Sequence, residues 1–186
     1  MIAVLLLASC SGPPVKEAEQ TLRAKAICCE TFATVQFQNL PIRERVKVSL
    51  SAESPVMRFL DDRSYFVAFA LPAGAEKLTI ESTIDAGITG MLQYATYIRP
   101  VVQFLDGQKN ALGAEQHLKL SPGHRTIFFN IGEDYFGDAL AVPEGARFVV
   151  LRPDPKNTDI QYTASENGTV WPVRPVGIGA FNIIAQ

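Results

Sequence analysis

From Thr34 onward the chain alternates apolar and polar residues with a period of two, the spacing of strands that bury one face. In "VKVSL" Val46, Val48 and Leu50 alternate with Lys47 and Ser49, and in "KLTIES" Leu78 and Ile80 alternate with Lys77, Thr79 and Glu81. "SYFVAFAL" (64–71) and "RFVVL" (147–151) are apolar on both faces and bounded by turn residues, so they read as central strands. Further strands are predicted at 56–59, around Tyr94 to Ile98, and at 101–105, 117–120, 126–131, 159–163 and 178–184. Asp106-Gly107 marks a turn, and Pro72, Pro100, Pro122, Pro143, Pro153 and Pro155 punctuate the rest. Residues 15–33 differ: Val15, Ala18, Leu22, Ala26 and Cys29 recur at helical spacing, which predicts a short helix leading into the domain.

About ten strands with frequent turns and little helix predict a mainly β fold, a single-domain two-sheet antiparallel β-sandwich with a short N-terminal helix. A closed barrel is the alternative. With 186 residues the chain can bury a core without staples. It shows no internal repeat and no composition shift that would mark a second domain.

The apolar run from Ile2 to Ala8 is far short of the roughly 20 residues a membrane-spanning helix needs. It resembles the end of a secretory signal, and Leu7-Ala8-Ser9-Cys10 matches the lipobox of bacterial lipoproteins, a branched apolar residue and two small ones before cysteine. Small residues let a peptidase approach the backbone, and the Cys10 thiol carries the lipid. Only nine uncharged residues precede Cys10, so the charged start of such a signal is expected upstream of Met1 unless the match is accidental. Ser11-Gly12-Pro13-Pro14 suits neither helix nor central strand and reads as a tether. The expected organisation is therefore a signal remnant at 1–9, a lipidated tether and start of helix at 10–25, and the β domain at 26–186. The expected place is the periplasm, with the lipidated cysteine anchoring the chain to the outer membrane.

Cys28 and Cys29 are the remaining cysteines, in a compartment where disulfides persist. Adjacent α-carbons lie about 3.8 Å apart, below the usual disulfide span. Two reduced, packed thiols, a vicinal disulfide and a bond to another chain all stay open. No CxxC motif and no set of metal-ligand residues occurs, so no metal or cofactor is expected. Seventeen basic against nineteen acidic residues give a formal charge of −2, with no basic cluster, which argues against a nucleic-acid partner.

Cys28-Cys29, "FLDDRSYFVAFALP" (59–72) and "YIRPVVQFLDGQ" (97–108), in that order, resemble the maltose-operon periplasmic protein family and its small lipoprotein relatives. The likeness covers about residues 26–152. It implies a secreted, mainly β domain associated in some members with maltodextrin uptake, without an established enzymatic activity. Under this resemblance the chain is expected to be one of the shorter relatives, without the C-terminal extension of the longer members.

The residues themselves offer little acid-base chemistry. His117 alternates with Leu118 and Leu120 and belongs on an outward face, and His124 sits in the turn-like "SPGHR". Asp61-Asp62 and Glu133-Asp134 are adjacent pairs that say nothing of the separation glycoside hydrolysis needs. "GIGA" (177–180) is no dinucleotide fingerprint, because no helix pattern follows it. No catalytic residue is assigned, and no enzyme is expected. For binding, Trp171 in "NGTVWPVRP" and Tyr94 and Tyr97 in "MLQYATYIRP" are the ring-stacking candidates, although aromatics of this kind more often fill cores. The expectation is a non-enzymatic envelope lipoprotein that is accessory to the binding or transport of a maltodextrin-like carbohydrate. The alternative is a scaffolding lipoprotein that binds another envelope protein.

Overall fold

The computed structural model describes residues 14–59, 62–85, 95–128, 131–154, 158–164 and 168–186. Along the chain these form α1 (Pro14–Ala24), a single 3-10 turn (Phe32–Thr34), β1 (Gln38–Asn39), β2 (Val46–Leu50), β3 (Val56–Phe59), β4 (Asp62–Tyr65), β5 (Val67–Ala70), β6 (Lys77–Thr83) and β7 (Thr96–Tyr97). There follow β8 (Pro100–Leu105), β9 (Gln116–His117), β10 (Ser121–Phe128), β11 (Ile131–Ala141), β12 (Phe148–Pro153), β13 (Gln161–Ala164), β14 (Val170–Pro175) and β15 (Gly179–Ala185). The protein is mainly β with one short N-terminal helix.

The strands make four sheets rather than two. One five-stranded sheet has the order β1-β5-β12-β8-β9 and another the order β10-β11-β6-β15-β2. A three-stranded sheet (β13-β14-β7) and the β3-β4 hairpin complete the set. Neither large sheet closes on itself, so neither is a barrel. Pairing is antiparallel except between β1 and β5 and between β14 and β7.

The period-two pattern explains which residues go inside. Val48 and Leu50 of β2, Leu78 and Ile80 of β6, and Phe181 and Ile183 of β15 share one buried cluster with Phe69 of β5, Val102 and Phe104 of β8, and Val149 and Leu151 of β12. The two large sheets therefore contribute to a common core. The opposite side of β5, β12 and β8 is also covered. Ala68, Leu105 and Val150 meet Met57 and Phe59 of β3, together with Cys29, Val35, Phe32 and Phe37 from the segment after α1. Lys109 fastens that segment by donating to the carbonyls of Ala33 (2.9 Å) and Val35 (3.3 Å) while lying over the Phe37 ring. A third cluster, Ala95, Tyr97, Phe136 and Val173, seats the small sheet on β11.

Several expectations shift in detail. The helix ends at Ala24 instead of running toward residue 33, because the Cys28 N–H donates to the Val56 carbonyl and Cys29 bridges to Met57, turning the chain onto β3. "SYFVAFAL" is two strands, broken at Phe66. "TIFFNI" spans the end of β10 and the start of β11, and "SPGHR" is strand, not turn. Pro122 sits on β10, an edge strand with one neighbour, the kind of strand in which proline is found. Opposite Tyr135, Gly123 permits close approach, since a β-carbon at that position would lie 2.5 Å from the tyrosine ring and the ring would have to shift. "VWPVRP", which lies outside the predicted strands, is β14. It pairs with β7 only at Arg174 and Pro175, so Pro172 needs no donor on its flank away from β13.

Candidate functional site

A cleft of about 290 Å³ opens where α1 crosses the ends of several strands. That is just below the size range of typical small-molecule sites, about 300–1,000 Å³. α1 supplies Ala18, Glu19 and Leu22, and β4 supplies Arg63, Ser64 and Tyr65. Arg99 enters ahead of β8, Asp154 follows the end of β12, and Val176 to Ile178 come from the turn between β14 and β15.

Tyr65, Arg63, Arg99 and Asp154 are held in place by hydrogen bonds, while Glu19 is exposed on the helix. Tyr65 donates its hydroxyl to the Ala18 carbonyl at 2.8 Å and so ties β4 to the helix. Burial, with the Glu53 charge second, holds that hydroxyl above its ordinary pKa, so it stays a donor at neutral pH. Arg63 donates to the Arg23 carbonyl (3.0 Å) and to the Lys25 carbonyl, placing a cation on the C-terminal end of α1, where the helix dipole favours it. Its Nε is buried and has no partner among the described residues.

Arg99 donates Nε to the Leu118 carbonyl at 2.7 Å and Nη1 to Asp159 at 2.6 Å. The Asp154 side chain is only 6 % exposed, and its Oδ2 lies 2.9 Å from Nδ1 of His117, which is 52 % exposed. The Asp154 N–H donates to the Arg99 carbonyl, locking the two side chains' origins together. The lining thus balances two guanidinium groups against the carboxylates of Glu19 and Asp154, between apolar walls of Leu22, Pro153 and Ile178. A neutral, hydroxyl-rich molecule meets donors and acceptors there without leaving a charge uncompensated.

The residues expected to bind are placed elsewhere. Tyr97 on β7 is 1 % exposed, meets the Phe136 ring edge-on at 5.2 Å and donates its hydroxyl to the Asp159 carbonyl, so it offers no ring face to a ligand. Trp171 on β14 is half-buried opposite Thr163 of β13. Tyr94 and Cys10 lie outside the described residues. The sheet carrying Trp171 instead exposes Tyr162 (61 %) and Val170 (60 %), with Ile160 (44 %) just ahead of β13. Beside it an open groove runs between β10 and β13, lined by His124, Tyr135, Tyr162 and Thr163.

Cys28 and Cys29 are joined by a disulfide. His124 is exposed on β10, and Glu133 and Asp134 belong to β11. After Gly177-Ile178 a strand follows, not a helix. Among the described residues no cluster of His, Cys, Asp or Glu could hold a metal ion, and no helix is long and apolar enough to cross a membrane. Comparison with family models, with curated proteins and with solved structures found no match.

Proposed function

We propose that the protein is a non-enzymatic accessory binding protein of the cell envelope, moored to the outer membrane through lipidated Cys10, that takes a neutral, maltodextrin-like saccharide into the cleft beneath α1. The observation that carries this reading is the charge-balanced lining, in which Arg63, Arg99, Glu19 and Asp154 face a space walled by apolar side chains. Sugars combine hydroxyl edges with apolar ring faces and match both parts of such a surface. The resemblance to the maltose-operon family suggests maltodextrins as the first ligands to try. In this reading the two five-stranded sheets pack face to face as a sandwich around their shared core, with the cleft at one end. α1 begins four positions beyond Cys10, so the helix that walls the cleft is close in sequence to the proposed anchor.

Calorimetric titration of the protein with maltodextrins and a panel of neutral envelope glycans tests the proposal. Heat of binding that disappears when Ile178→Trp fills the cleft supports it. Absence of heat with every saccharide, from a protein that still unfolds cooperatively, removes it.

One observation favours a second reading, a scaffolding role toward another envelope protein. Ile160, Tyr162 and Val170 expose apolar surface on and beside the β13-β14 hairpin, and such surface marks contact sites when it is contiguous. Cross-linking in the native host, with and without Tyr162→Ser, distinguishes this role. A defined protein partner lost in the variant, together with no saccharide binding, favours it.

A further inference from the structure

The Cys28–Cys29 disulfide lies across a boundary between water and core. Cys28 is exposed, while Cys29 is 8 % exposed and packed with Met57, Phe59 and Phe66, with Phe32 against the same cluster. The backbone around the pair is pinned independently of the sulfur atoms. The Cys28 N–H donates to the Val56 carbonyl at 2.9 Å, and Cys29 forms a parallel bridge with Met57. Opening the disulfide therefore leaves both main-chain attachments to β3 in place.

We propose that Cys28–Cys29 is a thiol–disulfide exchange site for an external dithiol, entered at Cys28, and that its reduced form presents a single reactive thiol to solvent. A thiolate of the dithiol attacks Sγ of Cys28 from the water side. A bond forms between the incoming sulfur and Cys28, the Cys28–Cys29 bond breaks, and Cys29 leaves with the electron pair and takes a proton from solvent. The second thiolate of the dithiol then attacks its own sulfur in the mixed disulfide, and Cys28 leaves and is protonated in turn. The dithiol is oxidised to a cyclic disulfide, and the protein gains two electrons and two protons.

The two sulfur atoms then behave differently for a physical reason. Cys29 remains a small apolar side chain among aromatic rings, where a thiolate is disfavoured and a protonated thiol is well accommodated. Cys28 is free to ionise in water and to react. Attack in the opposite sense, on Sγ of Cys29, would require a nucleophile inside the cluster.

Pulsed alkylation tests this. The intact protein is treated with dithiothreitol under native conditions and labelled briefly with iodoacetamide. It is then denatured and labelled with isotopically heavy iodoacetamide, and the peptide bearing both cysteines is sequenced by mass spectrometry. Cys10 falls on a different peptide and is read separately. Neither cysteine should label before reduction. After reduction the light label should favour Cys28 by about tenfold or more, and removal of the reductant should restore protection. Equal light labelling of both cysteines, labelling before reduction, or no labelling until denaturation would each overturn the proposal. Single variants give a second reading, with Cys29→Ser leaving a thiol that labels rapidly and Cys28→Ser leaving one that stays protected in the native state. A rapidly labelled Cys28→Ser protein that still unfolds cooperatively would also count against it.

Discussion

β8 and β14 are both six-residue strands with proline at one end, yet every residue of β8 is buried and only Val173 of β14 is. The difference is what lies on either side. β8 sits between the main core and the layer built from β3 and residues 29–37, so both of its faces are covered, and its one buried polar side chain, Gln103, donates to the Phe104 and Gly113 carbonyls. β14 rests one face on the small cluster around Phe136 and turns the other outward. Burial on both faces makes a strand indispensable and makes it readable from its sequence. Burial on one face, interrupted by prolines, makes it neither.

The comparison breaks or sharpens under substitution. Phe104→Ala in β8 should lower the unfolding free energy by about 3–5 kcal/mol, measured by urea denaturation, because a ring deleted from the main core leaves a cavity. Val173→Ala in β14 removes less and borders a smaller cluster, so about 2 kcal/mol is expected. Equal costs at the two sites would contradict the distinction.

Tyr65→Phe should cost about 1 kcal/mol by removing the hydrogen bond to the Ala18 carbonyl. It should also change the response to alkali. Burial, then the Glu53 charge, raise the Tyr65 pKa in the native state. Its contribution is therefore fully present below the unfolded value, near about 10, and is lost as pH rises through the native value. Wild type should lose stability more steeply than Tyr65→Phe between the unfolded and the native value, and parallel pH profiles would show that the hydroxyl is not shielded. The smallest effect belongs to Tyr162→Ser on β13, 61 % exposed, which should move the urea midpoint by no more than about 0.5 kcal/mol equivalent.

Strands with strict alternation or doubly apolar faces were legible in the sequence. β2 and β3 match their expected bounds, and β6, β8, β12 and β15 fall within a residue or two of theirs. β10, β11 and β14 were not legible along their lengths, because Pro122, Gly123, Gly137 and Pro172 imitate turn chemistry at positions that an edge strand, a ring lying over a glycine or the short pairing of β14 with β7 makes acceptable. The helix was overextended because Cys29, in step with the stripe, packs into a real cluster from an irregular segment, while Ala26 is exposed. The cleft left no local signal. Glu19, Arg63, Arg99 and Asp154 are tens of residues apart, and only the packing of α1 across the strand ends brings them to one wall. The aromatic search led to Tyr97, whose ring the core already uses.

The most direct measurement is a side-by-side titration of the wild-type protein and Ile178→Trp with the same maltodextrin series. The account predicts saturable heat for wild type and none for the filled cleft, with unfolding midpoints that agree. Undiminished binding by Ile178→Trp would place the ligand elsewhere and contradict it.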